Sequence, residues 1–421
     1  MSVLNKTKYW IWLTLVFGIG SRRVWQIMSM FETAEKAFFA LKKGVNGLNL
    51  SQREMRIIKN TDLSNAEYII NVCEKNNIGI CAYDSKTYPL QLKNIYVPPA
   101  VLYYRGNIHC VLGTPTVTVV GTRSASEYSI RTTERICREL AANGVIIVSG
   151  FAVGTDITAN MAAVNIGRPT VCVMGCGVDV NYPRENFGYR REILENGGVF
   201  ISEYPPGTPA RSSNFPRRNR ILSALGRIAV IFQAAERSGS LITAGFAAEQ
   251  GREVFTLPPA DIMNPAYKGN SDLIRDGASV LLGAESILEC FESNAPLHDE
   301  INSESENILK RNGTDLFEEG IASVAGADSD DRLMKLSSYM ENKRELYSET
   351  ADEISVIDNE ANLNDIQRNI VEILKAGDAD IDEIALQMDI DASEIATELT
   401  EMEMTGAVKA LPGKRFSIGR T

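Results

Sequence analysis

Between residues 117 and 256, short runs of β-branched residues alternate with longer amphipathic stretches, and this alternation constrains the fold more than any other feature. The apolar runs have the length and composition of strands, and the stretches between them repeat their apolar residues with a helical period. Alternation of this kind is typical of a doubly wound parallel sheet in the α/β class. The predicted strands are Val117 to Val120, Val145 to Ser149, Thr170 to Met174, Val199 to Ser202, Ile228 to Phe232 and Glu253 to Thr256.

A different pattern precedes this core. Residues 1–85 hold short helical periods between Trp10 and Asn76, and the first two are joined at Gly18 and Gly20. This spacing predicts a helical domain of the helix-hairpin-helix, or SAM-like, kind. The two glycines either turn the backbone so that amides face a phosphate or simply connect two packed helices.

Two further segments follow the core, which we place at residues 86–291 and predict to be Rossmann-like. Residues 292–362 are rich in Glu, Asp, Ser and Asn and show no sustained period, so they predict an acidic disordered linker. Residues 363–421 contain three short helical periods and then an extended piece that turns at Pro412, an order that predicts a small winged helix.

The net charge of −11 is concentrated in one segment. Residues 292–360 hold 18 Asp and Glu but 6 Lys and Arg, a balance of −12, which leaves about +1 for the rest of the chain. The folded domains can therefore carry a local basic patch, and a nucleic-acid partner is compatible with the composition.

Histidine and cysteine are too sparse for the commonest catalytic and metal sites. There are two histidines and seven cysteines, without a Cys-x-x-Cys pair, so we predict no histidine triad, no metal and no cofactor. The N-terminal apolar run from Tyr9 to Phe17 lacks the cleavage site of an export signal and the ~20 residues of a membrane span. We expect a cytoplasmic protein with reduced thiols and no membrane contact.

Turns rich in Gly, Ser and Thr follow four of the predicted strands. The carboxyl ends of parallel strands meet at one edge of a sheet, where backbone amides and hydroxyls can approach phosphate oxygens. One such turn can equally reflect a steric need for glycine, but four at one edge favour phosphate binding. The core lacks GxGxxG and GxxxxGK[ST], so dinucleotide and P-loop sites are not predicted. The candidate residues are Gly121, Thr122, Arg123, Ser149, Gly150, Gly154, Ser238, Gly239, Ser240 and Thr243.

A basic cluster with an aromatic residue lies at residues 214–220, with the sequence NFPRRNR. Guanidinium groups pair with phosphates and a phenyl ring stacks on an unpaired base, so the cluster favours single-stranded nucleic acid. The alternative is a surface cluster in which Phe215 is buried and Asn219 caps the helix. The candidates here, with two from the segment YPREN, are Phe215, Arg217, Arg218, Asn219, Arg220, Arg184 and Asn186.

Seven segments of the core carry further information, namely YPLQLKNIYVPPAVLYYRGN (88–107), VTVVGTRSASEYS (117–129), VSGFAVGTD (148–156), GCGVDVNYPRENF (175–187), ISEYPPGTP (201–209), NFPRRNRILSAL (214–225) and SGSLITAGFAAEQGREVFTLP (238–258). Taken in order, these segments resemble the motifs of the DprA/Smf family of DNA-processing proteins over essentially the whole core. The resemblance implies a protein that binds and protects single-stranded DNA and loads the RecA recombinase during natural transformation, and that is not an enzyme. It also implies a homodimer. It implies that Arg123, Arg184, Phe215, Arg218 and Arg220 face DNA.

The chain departs from the family pattern at a few places. Thr155 and Asn160 stand where the family usually has isoleucine and histidine, Gln233 stands where it has glutamate, and residues 258–261 replace a PG and glycine-rich turn. These departures bear on loop contacts rather than on family membership. We place the dimer contact at residues 270–282, a segment that is equally compatible with the last strand of the sheet.

An enzyme is the alternative function. The core also resembles, more distantly, nucleotide phosphoribohydrolases, for which Glu203, Glu236 and Glu249 are the available carboxylates. The signature of those enzymes is replaced by SGSLIT here. In the winged helix, the predicted third helix from Ser393 to Met404 is acidic. We therefore expect this module either to bind a protein or to pack on the core, and only its wing to touch DNA.

Overall fold

A computed structural model describes residues 4–44, 48–292 and 365–418, apart from 378, 389, 391–394, 396–397, 400–401, 403–407 and 412–414. The described residues fall into two compact units, one on each side of residues 293–364. All but the first residue of the predicted acidic linker lies outside the described residues. The predicted domain boundaries therefore stay predictions.

The first unit begins with helices, as the sequence predicted. Trp12 and Phe38 meet edge to face in their core, with ring centroids 4.8 Å apart. Ser51 and Glu54 form a capping box that fixes the start of the fourth helix. The helices are α1 (Leu4–Phe17), α2 (Arg22–Met28), α3 (Ala34–Lys43), α4 (Gln52–Asn60) and α5 (Leu63–Lys75).

A nine-stranded sheet forms the centre of this unit. Its strands are β1 (Gly79–Ala82), β2 (Val101–Gly106), β3 (Thr116–Val120), β4 (Ile146–Ser149), β5 (Thr170–Met174), β6 (Val199–Ser202), β7 (Ile228–Ile231), β8 (Glu253–Thr256) and β9 (Ser279–Val280). They lie in the order β1-β2-β6-β5-β4-β3-β7-β8-β9. The chain moves outward from β3 in one direction as far as β6 and then crosses to β7, so the topological switch point lies between β3 and β7.

The doubly wound α/β core is confirmed, and the six predicted strands are all present. The sheet is mixed, however, because β1 and β2 are antiparallel additions that the sequence analysis did not predict. β1 pairs in this sheet although it lies within the segment predicted as helical, residues 1–85. The segment 270–282 contributes β9, which is parallel to β8.

Helices cover both faces of the sheet. On β3, Val117 and Val119 pack into the cluster formed with the two helices after β3 and β4, while Thr116 and Thr118 donate hydrogen bonds to carbonyl groups of the helix after β6. Burial on both faces explains why the strands read as continuous apolar runs. The helices are α6 (Glu127–Ala142), α7 (Thr155–Val164), α8 (Tyr189–Glu195), α9 (Asn214–Leu225), α10 (Gly239–Glu249), α11 (Lys268–Arg275) and α12 (Glu285–Glu292).

Helix α9 begins five residues earlier than the sequence predicted, at Asn214 instead of Asn219. Pro216 does not prevent this start, because the first turn of a helix has amide groups without intrahelical partners and loses nothing when one of them is missing. Asn219 therefore lies inside the helix, so the alternative in which it caps the helix is wrong.

The second unit agrees with the predicted winged helix, except that a short strand that was not predicted lies between its first two helices. Its described elements are α13 (Asp365–Ala376), β10 (Ala379–Asp380), α14 (Ile381–Met388), β11 (Val408–Leu411) and β12 (Arg415–Ile418), and the strands pair in the order β10-β12-β11. Most of the predicted third helix, 393–404, lies outside the described residues. Within it, Ile395 and Leu399 are buried, and the Glu398 carboxylate accepts a hydrogen bond from Gln367 at 2.7 Å.

Two further observations concern the whole described part of the chain. Within the described ranges, no helix combines the length and the apolar character that crossing a bilayer requires. The seven cysteines are all free thiols, and five of them are buried. Burial raises the pKa of these buried thiols, for example that of Cys176 to about 11, which disfavours the reactive thiolate.

Candidate nucleic-acid interface

Gln233 bridges the switch point of the sheet. It follows β7, is 2% exposed, and its backbone carbonyl accepts a hydrogen bond from the Thr122 amide at 2.8 Å. Its side-chain Oε1 accepts another from the Ser126 amide at 2.9 Å. Both ends of the loop that carries Arg123 are thus attached to one residue, and Arg123 is exposed between them.

The loop after β4 packs closely on this Arg123 loop. Gly154 has a φ of +84°, and a Cβ there would lie 2.4 Å from the Arg123 carbonyl oxygen. The Thr155 hydroxyl donates to the Thr122 carbonyl at 3.2 Å. The structure therefore gives Gly154 a steric role in joining the two loops. Thr155, one of the departures from the family pattern, contributes directly to the contact.

Arg218 is buried beneath these loops. The side chain is 6% exposed and donates hydrogen bonds to the carbonyl groups of Gly150, at 3.1 Å, and Val173. The expectation that Arg218 lies at the surface is wrong, because the early start of α9 directs this position toward the ends of β4 and β5. Arg218 therefore supports the edge of the sheet from inside.

Asp156 is the buried acid beside Arg218. One carboxylate oxygen accepts hydrogen bonds from the amides of Gly150 and Ala152, at 3.1 and 3.4 Å. Burial raises the pKa of Asp156 to about 6, although Arg218 and the two amides act in the opposite direction. Burial likewise lowers the pKa of the Arg218 guanidinium, and Asp156 opposes that change.

Arg220 is committed to an ion pair. Its Nη2 atom lies 2.7 Å from both carboxylate oxygens of Glu203, and the two side chains are only 12% and 5% exposed. Arg217 is the exposed arginine of the NFPRRNR cluster. Of the five residues that the resemblance places against DNA, Arg218 and Arg220 thus lie mostly below the surface.

Phe215 is half-buried rather than fully buried or fully exposed. Its ring lies 5.2 Å from that of Tyr182, centroid to centroid, and the Arg218 guanidinium carbon is 5.7 Å from its ring centroid. Phe187 is more open to solvent: it is 55% exposed and lies three residues after the exposed Arg184. The adjacent Asn186 is buried and donates to the Phe151 carbonyl at 2.8 Å.

The remaining candidates stabilise the edge of the sheet. Ser149 is buried and donates to the Val119 carbonyl at 2.7 Å, and Thr243 is buried inside α10. Ser238 caps α10 by accepting from the Ser240 amide at 3.4 Å. The Asn219 amide donates to the Gly239 carbonyl at 3.4 Å, which joins α9 to the start of α10.

The sequence analysis missed three exposed residues at this edge, namely Phe187, Arg211 and Arg237. Arg211 precedes α9, and Arg237 precedes α10. Their position in loops after β5, β6 and β7 was a usable signal, because such loops converge at the carboxyl edge. With Arg123, Arg184 and Arg217, five exposed arginines lie on loops and helix starts at this edge, where guanidinium groups can attract a polyanion.

Comparison with known proteins identifies the family. Residues 79–292 match the family model described as DNA recombination-mediator protein A, and residues 358–414 match the DprA winged helix domain. The chain belongs to the DprA/Smf family. Protein Smf of Synechocystis is 33% identical over 290 residues, which are 68% of this chain and 72% of that protein.

Two other relatives support the same assignment. Protein Smf of Escherichia coli is 41% identical over 216 residues, covering 51% of this chain and a little over half, 57%, of that protein. The X-ray structure of DNA processing protein A from Streptococcus pneumoniae superposes with a TM-score of 0.51 at 33% identity, covering 58% of this chain and 83% of that one. Fold and family thus agree with the sequence prediction.

The neighbouring arginines Arg217 and Arg218 make a matched pair for a stability test. Arg218→Met leaves Asp156 buried without its cation, so we expect a loss of about 3 kcal/mol in the free energy of unfolding. Arg217→Met changes an exposed residue and should alter it by less than ~0.5 kcal/mol. Urea unfolding followed by circular dichroism measures both; equal midpoints for the two variants would contradict the structural role of Arg218.

Asp156 should make stability depend on pH. Its pKa in the folded protein, about 6, lies above the ordinary value, so its neutral form contributes stability that is fully present below pH ~4 and is lost as the pH rises through 6. Relative to Asp156→Asn, the wild-type protein should gain roughly 2 kcal/mol between pH 7 and pH 4. Urea midpoints of the two proteins across this range test it, and parallel curves would refute the raised pKa.

Proposed function

We propose that this protein binds single-stranded DNA along the carboxyl edge of its sheet, protects it, and assists loading of the RecA recombinase during DNA uptake in natural transformation. The observation that carries the proposal is the set of exposed arginines at one edge, above all Arg123, Arg184 and Arg217. Guanidinium groups on separate loops can contact successive phosphates of one strand.

Aromatic side chains favour a single strand over a duplex. Phe187 is 55% exposed and follows Arg184, and Phe215 is half-buried and precedes Arg217. An unpaired base can stack on such a ring, whereas the faces of a paired base are already covered by the neighbouring base pairs. The buried Arg218 and the paired Arg220 hold α9 in place, and the exposed Arg217 makes the contact. The rest of the predicted site keeps the loops in position.

The step from DNA binding to recombination rests on the family. The matched family model is described as a DNA recombination-mediator protein, which supports delivery of the bound strand to a recombinase such as RecA. We place this activity in the cytoplasm, where recombination occurs. The winged helix and its acidic residues belong to the part of the protein that we assign to protein contacts rather than to DNA.

A binding protein fits the geometry better than a phosphoribohydrolase. Of the three carboxylates available to such an enzyme, Glu203 is held by both of its oxygens in the pair with Arg220. Glu249 ends α10 at the edge of the sheet opposite the candidate site. Glu236 is exposed in the loop after β7. Assay of free-base release from nucleoside monophosphates separates the two functions, since we expect none.

Binding to oligonucleotides at several salt concentrations tests the proposal. We expect the wild-type protein to prefer a single strand to a duplex, and Arg123→Ala to reduce the slope of log K against log salt by about 0.7, the value for one phosphate contact on a single strand. Arg131→Ala is the control, because Arg131 is an exposed arginine on the outer side of α6. Equal slopes for all three proteins would remove Arg123 from the site, and failure to bind single strands would reject the function.

We further propose a homodimer through the Rossmann-like core. Ile262, Met263 and Leu282 are 78%, 81% and 78% exposed, and they follow the neighbouring strands β8 and β9 at the same edge. Large exposed apolar side chains on neighbouring segments mark contact surfaces. The predicted contact segment, 270–282, ends at Leu282.

Sedimentation equilibrium at micromolar concentration tests the dimer. The wild-type protein should have the mass of two chains, and the double variant Ile262→Glu with Leu282→Glu should have the mass of one, because two buried carboxylates would face each other across the contact. Met55→Glu, at a half-exposed methionine on α4, should remain dimeric. A monomeric wild-type protein would contradict the dimer, and a dimeric double variant would contradict this location.

A further inference from the structure

An exposed aromatic ring with a cation on one face lies outside the loops described above. Tyr96 is 65% exposed, and the Arg22 guanidinium carbon lies 4.5 Å from its ring centroid. Arg22 is itself exposed at the start of α2. Even with this cation on one face, most of the tyrosine surface is open to solvent. A guanidinium and a solvent-exposed ring side by side are the two groups that single-strand-binding proteins combine.

The backbone around Tyr96 is held in place from both sides. Ile95 is buried, and the next residues are tied to α2 because the Trp25 indole donates to the Pro98 carbonyl at 2.9 Å. The Tyr88 hydroxyl donates to the Pro99 carbonyl at 2.7 Å. The ring therefore projects from a fixed segment, so that little side-chain and loop freedom would be lost when a ligand stacks on it.

This pair is close to the arginine cluster of α9. Gly20 has a φ of +64°, and a Cβ built on it would lie 2.9 Å from the Arg220 Nη2 atom. The turn between α1 and α2 thus rests on the Glu203–Arg220 ion pair. Arg22 follows Gly20 by two residues, a distance of at most roughly 7 Å between Cα atoms.

The cations near Arg22 make other contacts. Arg23 is engaged, since its Nε donates to Glu54 at 2.7 Å and its Nη2 donates to the Asn49 carbonyl at 2.6 Å. Lys93 precedes Tyr96 by three residues, and its ammonium lies 5.1 Å from the Tyr83 ring centroid. Its charge adds to the positive potential near Tyr96. Arg22 is therefore the arginine of this turn that is placed to meet a phosphate beside the ring.

We propose that Arg22 and Tyr96 form a second contact point for the same strand of DNA, with an unpaired base stacked on Tyr96 and the adjoining phosphate paired with Arg22. The proposal rests on the proposed function of the carboxyl edge. A strand bound at Arg123 and Arg217 would continue past Arg220 and the Gly20 turn to this pair. The helical N-terminal domain then acts as an extension of the DNA site.

A length comparison separates the second point from the first. Single-strand-binding folds contact roughly 4 to 16 nucleotides, so oligothymidylates of about 5 and about 20 nucleotides distinguish one contact region from two. Tyr96→Ala should weaken binding of the longer strand by roughly 5- to 150-fold, the range for loss of one stacked base, and leave the shorter strand unaffected. Tyr96→Phe keeps the ring and should bind both strands as the wild-type protein does.

Two further variants complete the design. Arg22→Ala should lower the salt slope by about 0.7 on the longer strand alone. Tyr68→Ala is the matched control, because Tyr68 on α5 is 70% exposed, and it should bind as the wild-type protein does. In Tyr96→Trp, indole fluorescence should be quenched by the longer strand, whereas in Tyr68→Trp the added indole should not respond.

The outcomes separate this inference from the proposed function. Unchanged binding of the longer strand by Tyr96→Ala, or an equal loss on both lengths, would overturn the second contact point while the carboxyl edge keeps its function. A wild-type protein that binds neither strand would overturn the proposed function itself. Urea midpoints of all variants should match the wild-type value, since Tyr96 and Tyr68 are exposed, and a large shift for Tyr96→Ala would likewise count against a surface role.

Discussion

The candidate site depends on the buried hydrogen bonds of the Arg218 guanidinium. From inside α9 it bonds to carbonyl groups at the ends of β4 and β5, with Asp156 beside it. A buried cation of this kind is costly unless its donors are satisfied, so its partners hold α9 in one position on the sheet. That position in turn fixes Arg217 at the surface and joins α9 to the start of α10. The loops with exposed arginines therefore rest on a buried polar network.

Much of the fold could be predicted because its signals are local. The strands β3 to β8 are continuous apolar runs, and glycine-containing turns mark where most of them end, so the parallel sheet and its carboxyl edge followed from the sequence alone. The added strands β1 and β2 could not be found in this way. They are as long as the strands that were predicted, but their place in the sheet depends on the antiparallel pairing of β2 with β6, about a hundred residues further along the chain, which leaves no periodic signal.

The candidate site was predictable as a region but less so residue by residue. Residue type located Arg123, Arg184 and the NFPRRNR cluster, yet it did not separate Arg217, which is exposed, from Arg218, which is buried. That distinction depends on the rotation of α9, which is set by where the helix begins. Sequence pattern treats neighbouring arginines alike, whereas a helix turns each by about 100° from the last.

Gln233 gives the Arg123 loop a neutral anchor. The oxygen of its side-chain amide accepts the hydrogen bond from the Ser126 backbone amide. A carboxylate could accept the same bond, but it would add a negative charge at the switch point. A family member with glutamate at this place would hold the same loop and would repel a phosphate approaching Arg123. In this chain Gln233 holds the loop without repelling phosphate. The geometry of the loop and the electric field above it are therefore set by separate residues.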